Sequence, residues 1–350
     1  AVCLLALPVL LSGEAVFLLL GQETDVAALV GDYMRSAAWA FIPATLFVVL
    51  RALVSAHGET RIIFVVTIVA ILANVLGNYA LMFGNFGFPR LELFGGGIAT
   101  SLSHALMFGL LLGHVLRHRR LKRYRILARF WKPDWPRFFA IFRLGTPIGL
   151  MLAAETSLFG MAGVFMGWIG TAELAGHAVA MQIISLTFMI PLGISQAATI
   201  RVGLEAGRES ADGLRIAGWV AMALATLAMM MSATLYWLSP TPLVHLFFDP
   251  ARAENLAPIA LAVTYLGVAA IFQIVDGLQV SAAAALRGIS DTKIPAIVAI
   301  TGYWLVGVPA SYLLGFPAGL GGVGIWLGLA FGLAFVGIVL VWRFWRLTRS

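Results

Sequence analysis

The chain has 350 residues, of which 61% are hydrophobic and only 11% charged. Soluble domains carry roughly 25% charged residues, so a soluble enzyme is excluded, and so is intrinsic disorder, which requires low hydrophobicity. The net charge of +7 is no sign of nucleic-acid binding, because Lys and Arg on a membrane protein record orientation by collecting in cytoplasmic loops. A single cysteine, Cys3, leaves no internal disulfide and no Cys-based metal cage.

A membrane-crossing helix needs about 20 mostly apolar residues. In chain order the sequence predicts ten: 1–20, 36–54, 62–84, 95–116, 139–166, 176–200, 216–238, 257–284, 294–315 and 321–342. The runs are continuous, whereas the strands of a transmembrane β-barrel alternate. The expected fold class is therefore an all-α polytopic membrane protein. If the first span runs from inside to outside, only Arg35, Arg90 and Arg252 of the 23 Lys and Arg fall outside. That asymmetry orients the chain in a cell inner membrane with both ends cytoplasmic. The stretch Arg117–Arg137 is the densest in basic residues and has one acid, Asp134. It reads as a cytoplasmic connection rather than a nucleic-acid contact.

An internal repeat organises the spans. Glu59-Thr60-Arg61 precedes the third span and Asp291-Thr292-Lys293 the ninth, at an offset of 232 residues; Tyr79 and Tyr312, then Gly97-Ile98 and Gly324-Ile325, follow in the same order. The copies lie six helices apart and so point the same way, a parallel repeat about an axis along the membrane normal. Two pseudo-symmetric six-helix lobes follow. Residues 1–116 are an N-terminal lobe with four helices, 117–138 the cytoplasmic connection, and 139–350 a C-terminal lobe with six. Four helices against six predicts ten of a set of twelve, with two more expected before Ala1.

Three acids fall inside predicted spans: Glu14, Glu155 and Asp276. A carboxylate in hydrocarbon is costly, so such residues face an interior and serve transport. Glu155 lies 12 residues from Arg143, and Asp276 lies 11 from Arg287. At about 1.5 Å per residue both sit about 17–18 Å from the inner face. Two acids at one depth in one lobe can address one cavity, exchanging protons or holding Na⁺. Glu14 lies near the outer surface, where snorkelling explains it as well as ion binding does. Asn74 and Asn78 share a helical face, Gln273 and Gln279 flank Asp276, and Gln182 lies in the sixth span; each is a candidate ligand or a bridge between helices. The six histidines show no ligand spacing and read as packing residues. Pro147 and Pro191 lie within spans. No P-loop, GxSxG or HExxH motif is present, so no catalytic chemistry and no ATP-driven transport are expected.

The segments PIGLMLAAETSLF (147–159), IPLGISQAATIRVG (190–203) and FQIVDGLQVSAAAALRGISDTKIP (272–295) resemble the multidrug and toxic compound extrusion (MATE) transporters of the NorM type, and the resemblance runs from Ala1 to Ser350. It implies a twelve-helix, two-lobe fold and cation-coupled export of lipophilic organic cations. It also implies that the acids matching Glu155 and Asp276 carry the coupling to Na⁺ or H⁺, and that the face of Asn74 and Asn78 lies in the first-lobe cavity. Phe272 stands where the family often has a tyrosine, four residues before the second-lobe aspartate. No cofactor is implied beyond the coupling ion. The partners expected are organic cations and membrane lipids, with the chain acting as a monomer. The rival reading is a flippase or exporter of lipid-linked saccharide in the same broad superfamily. Such a protein should line its cavity with Arg or Lys, and no basic residue occupies a span centre.

Overall fold

Inside a bilayer every backbone N–H and C=O has to be paired within the protein, which leaves an isolated apolar run one solution, the helix. The computed structural model describes residues 2–19, 24–124, 126, 128 and 134–349, and these contain helices and turns and no strand. The chain is thus an all-α polytopic membrane protein. It divides into two compact units, Ala1–Lys132 and Pro133–Ser350.

Unit 1 contains α1 (Val2–Leu11), α2 (Gly13–Leu19), α3 (Thr24–Ala37), a 3₁₀ turn (Ala38–Ala40), α4 (Phe41–Ala56), α5 (Thr60–Gly77) with a π-helical end (Asn78–Met82), α6 (Glu92–Arg117) and a second 3₁₀ turn (Leu121–Tyr124). Unit 2 contains α7 (Trp135–Ile169), α8 (Thr171–Gly207), α9 (Ala211–Leu238), the short α10 (Pro240–His245), α11 (Leu256–Gly288), α12 (Lys293–Ile300), a π-helical segment (Thr301–Gly307), α13 (Val308–Gly315) and α14 (Gly321–Thr348).

Among the described residues nine stretches are long and apolar enough to cross a membrane, where the sequence predicts ten. The difference is the run 1–20, which forms α1 and α2, 10 and 7 residues long. The helix breaks at Ser12, whose N–H is shared between Pro8 O at 3.0 Å and Val9 O at 3.2 Å. Gly13 follows, in a close approach to α3: a Cβ there would lie 2.5 Å from Met34 Sδ. The second span also differs. It begins near Ala27 rather than at residue 36 and runs to Ala56. The apolar count misses its first turns because α3 carries charge, which Arg35 Nη1 partly neutralises at 3.8 Å from Asp32. The first span of unit 2 starts at Trp135 rather than 139, capped by Asp134 Oδ1, which accepts from Arg137 N at 3.3 Å.

Unit 2 is built around α11, which packs against α8, α9 and α14. Its length from Ala282 to Leu286 is almost wholly buried alanine and leucine. Small residues let the helix backbones meet without a hydrophobic driving force. A Cβ on Gly328 of α14 would lie 2.1 Å from Ser311 N of α13, and one on Gly324 would lie 2.4 Å from the Leu314 carbonyl. Pro147 and Pro191 sit inside α7 and α8 without ending them. The methionine run is split by the same packing: Met229 is buried against Gly277, while Met230 and Met231 are exposed.

Gly328→Ala therefore drives a methyl into rigid backbone and should destabilise the protein by about 1–3 kcal/mol or more. Gly193→Ala, in a helix where a new Cβ meets nothing within 4 Å, should be neutral or stabilising. Melting temperatures of the two purified variants in one detergent check this; equal values would remove the close-packing account.

Candidate functional site

Asp276 lies mid-way along α11 and is 3% exposed. Gln273 and Gln279, one turn to either side, are fully buried. Gln273 is held by a polar knot: its Nε2 donates to Thr187 Oγ1 at 2.7 Å and to Tyr236 OH at 2.9 Å, and those two hydroxyls share a bond of 2.5 Å. This knot ties α11 to α8 and α9 through side chains. Among the described residues, Asp276 Oδ1, Gln273 Oε1 and both amide atoms of Gln279 on α11, and Tyr303 OH of the segment Thr301–Gly307, have no hydrogen-bond partner. A buried unpaired polar group costs about 1–3 kcal/mol, and natural proteins keep few of them without a reason.

Glu155, on α7, is half-buried. It carries the second carboxylate among the predicted spans of unit 2. Tyr303 sits in the π-helical segment Thr301–Gly307, an element often found at functional sites because its wider turn re-aims side chains. Gly302 and Gly307 seat that segment against Val336 and Gly332 of α14, and Trp304 Nε1 donates to Ser157 Oγ of α7 at 3.1 Å, two residues from Glu155. One turn from Asp276 along α11, Phe272 meets Phe159 of α7 with centroids 5.9 Å apart and Trp326 of α14 at 5.8 Å. Sequence reasoning passed over Tyr303, Thr187 and Tyr236. The available signal for Tyr303 was a mid-span tyrosine between two glycines.

The remaining candidates are placed elsewhere. Asn74 and Asn78 engage each other, Asn78 Nδ2 donating to Asn74 Oδ1 at 3.0 Å. Asn74 lines a cavity of about 310 Å³ within unit 1 with Thr67, Thr100, Ser103 and His104. Glu14 is paired with Arg35, Nη2 to Oε2 at 2.5 Å, and is 40% exposed, which suits an ion pair near a surface. Gln182 is exposed on α8 and lies apart from the knot. A groove of about 400 Å³ between α8 and α9, bounded by Ile194, Arg201, Glu205 and Leu224, does not contain the acids either.

With this geometry in view, the chain matches the MatE family over residues 1–80 and 147–313. It is 44% identical over 341 residues to a probable multidrug resistance protein NorM of Mesorhizobium japonicum, covering 97% of this chain and 73% of that one. It is 45% identical over 333 residues to the corresponding protein of Brucella suis biovar 1, covering 95% and 70%. In fold it matches the eukaryotic MATE transporter AtDTX14 with a TM-score of 0.85 at 20% identity, over 99% of this chain and 77% of the other.

The polar knot makes its own prediction. Tyr236→Phe removes the hydroxyl that accepts from Gln273 and should lower stability by about 1–2 kcal/mol. Tyr312→Phe, at a 45% exposed tyrosine, should leave stability unchanged. Thermal unfolding in detergent separates them, and an unshifted Tyr236→Phe would show that the knot contributes nothing.

Proposed function

This chain belongs to the MatE family of membrane transporters, which are not enzymes, and from that premise we propose that it is a secondary antiporter exporting lipophilic organic cations in exchange for Na⁺ or H⁺. The reading rests on one observation: Asp276 is buried in the middle of α11 with an unpartnered oxygen, in the same unit as Glu155 of α7. Two carboxylates so placed attract an organic cation, and the neighbouring rings of Phe272 and Trp326 add cation–π and apolar contact. The coupling ion competes for the same carboxylates. Because it binds the inward-open and outward-open states unequally, its entry shifts their balance, and the drug loses its charge partner and leaves outward. Uncoordinated oxygens on Asp276, Gln279 and Tyr303 suit a hard cation such as Na⁺, which prefers oxygen ligands; a proton needs only the carboxylates. The printed names of the relatives, multidrug resistance proteins, support the substrate class.

In this reading the chain acts as a monomer in the cell inner membrane with both ends cytoplasmic, as its Lys and Arg distribution implies. Lipids and organic cations are its partners; nucleic acid is not. The rival reading, a flippase for lipid-linked saccharide, needs free cationic side chains to receive an anion. No basic residue occupies a predicted span centre, which favours the cation-export reading.

Asp276→Asn keeps shape and hydrogen bonding but removes the titratable charge. It should still insert, and it should lose ion-driven ethidium efflux by about tenfold or more, because the ion no longer discriminates between states. Glu155→Gln should behave alike, with the double variant little worse than either single one, since groups acting as a unit are not additive. The measurement is efflux from vesicles under an imposed Na⁺ or H⁺ gradient, normalised to folded protein. Wild-type rates in both single variants would end the coupling proposal.

A further inference from the structure

We propose that Glu59, His114 and His118 form a binding site for a divalent transition-metal ion of the zinc class, where α5 begins and α6 ends. The site stands apart from the acids of unit 2 and does not depend on the transport reading.

The donor atoms already converge. His114 Nε2 lies 3.1 Å from Glu59 Oε2 and His118 Nε2 lies 3.2 Å from Glu59 Oε1. One ligand atom from each residue falls within 4.8 Å of the other two. The two imidazoles are one helical turn apart and stack with centroids 5.2 Å apart and planes at 24°, so their Nε2 atoms point the same way. Zinc bonds of about 2.0–2.2 Å in tetrahedral geometry put neighbouring ligand atoms about 3.3–3.5 Å apart. The two nitrogen–oxygen contacts are close to that spacing, so rotation of the three side chains about their own bonds is enough to admit the ion. The three side chains are between 23% and 32% exposed, sheltered yet reachable.

The scaffold holds them there. The connection from α4 to α5 turns through Gly58 at φ +77, a left-handed conformation that glycine adopts without cost, and Glu59 N–H closes the turn on Val54 O at 3.2 Å. Beside it the His57 ring bonds Leu53 O and Tyr124 OH, each at 2.8 Å, which anchors the 3₁₀ turn after α6. Beneath lies an apolar cluster of Phe47, Leu50, Val54, Val66, Leu111 and Val115.

The repeat supplies an internal comparison. Asp291, the counterpart of Glu59 in unit 2, is bound by Arg343 Nε of α14 at 2.5 Å. Unit 2 thus gives the acid at this turn a fixed cation from the final helix. Unit 1 puts two imidazoles, which are acceptors as well as donors, in the place of the guanidinium. A metal ion bound by all three side chains restores the positive partner the carboxylate has in the other copy. Two nitrogens and one oxygen select zinc-like ions over Mg²⁺ and Ca²⁺, which take oxygen ligands. Three protein ligands leave a fourth position open. His114 and His118 border a surface groove along α6 together with Gly109, Gly113 and Arg117, through which an ion could arrive. Once bound, the ion would clamp the start of α5 to the end of α6.

The test uses the full chain without a histidine tag, purified in detergent, with Zn²⁺ alone and Co²⁺ alone as probes. One Zn²⁺ should bind per chain, unaffected by excess Mg²⁺, and Co²⁺ should give the visible absorption of a tetrahedral site. Glu59→Gln and the double variant His114→Ala/His118→Ala should each weaken Zn²⁺ binding by more than about 100-fold, since loss of an outer-shell partner alone costs about 10–100-fold. His245→Ala, at an exposed histidine of unit 2, should bind as the parent does. Equal affinity in parent and double variant would overturn the proposal. X-ray absorption at the zinc edge of the parent protein tests it without any variant: scattering from two imidazoles supports the site, and its absence overturns it. Drug efflux is not read in any arm, so failure here leaves the antiport proposal untouched.

Discussion

A carboxylate held inside a helix bundle sets the terms for unit 2. Asp276 lies in α11, the helix that α8, α9 and α14 all pack against, so it has no route to water by a simple turn of its side chain. An ionised carboxylate in such surroundings is costly unless something compensates it. The chain supplies part of that compensation and withholds the rest. Gln273 is locked by Thr187 and Tyr236, whereas Asp276 Oδ1 and the Gln279 amide receive nothing from the protein. The surrounding helices are correspondingly close-packed, with glycines of α14 at backbone distance from α13. Unit 2 thus combines tight helix packing with an under-satisfied polar centre.

The two units handle acids in different ways. In unit 2 the interior acids are left open while the acid at the α11–α12 turn, Asp291, is closed off by Arg343. In unit 1 the acid in the first predicted span, Glu14, is closed off by Arg35, and Glu59, the counterpart of Asp291, meets two imidazoles instead of a guanidinium. The two acids occupy matching turns of the repeat read from the sequence, and their partners differ. Where the partner is arginine the contact is permanently charged and structural. Where it is histidine, the same backbone offers a ligand set.

How much of this was legible from the chain depends on the length scale of each feature. The fold class was legible, because about 20 apolar residues in a row admit one spanning structure, and the nine spans among the described residues follow from that constraint. The differences were local. Hydropathy could not see the break at Ser12, since one residue barely moves an apolar average. It also missed the beginning of the second, where the charge of Arg35 is absorbed by Asp32 and Glu14.

For the sites, the sequence by itself determined which residues are expensive to bury. Glu155 and Asp276 stand out because carboxylates are rare in spans, and helix rise sets their common depth. Only the tertiary structure decided their company. That Gln273 is tied to Thr187 and Tyr236 across 86 and 37 residues of sequence, and that Gln182 lies exposed, are facts of helix packing. The histidines make the point most directly. Their spacing of four says only that two rings share a helix face. Glu59, 55 residues away along the chain from His114, becomes their third partner only because α5 and α6 fold back to back, and residue spacing along a chain does not encode which helix ends meet in space.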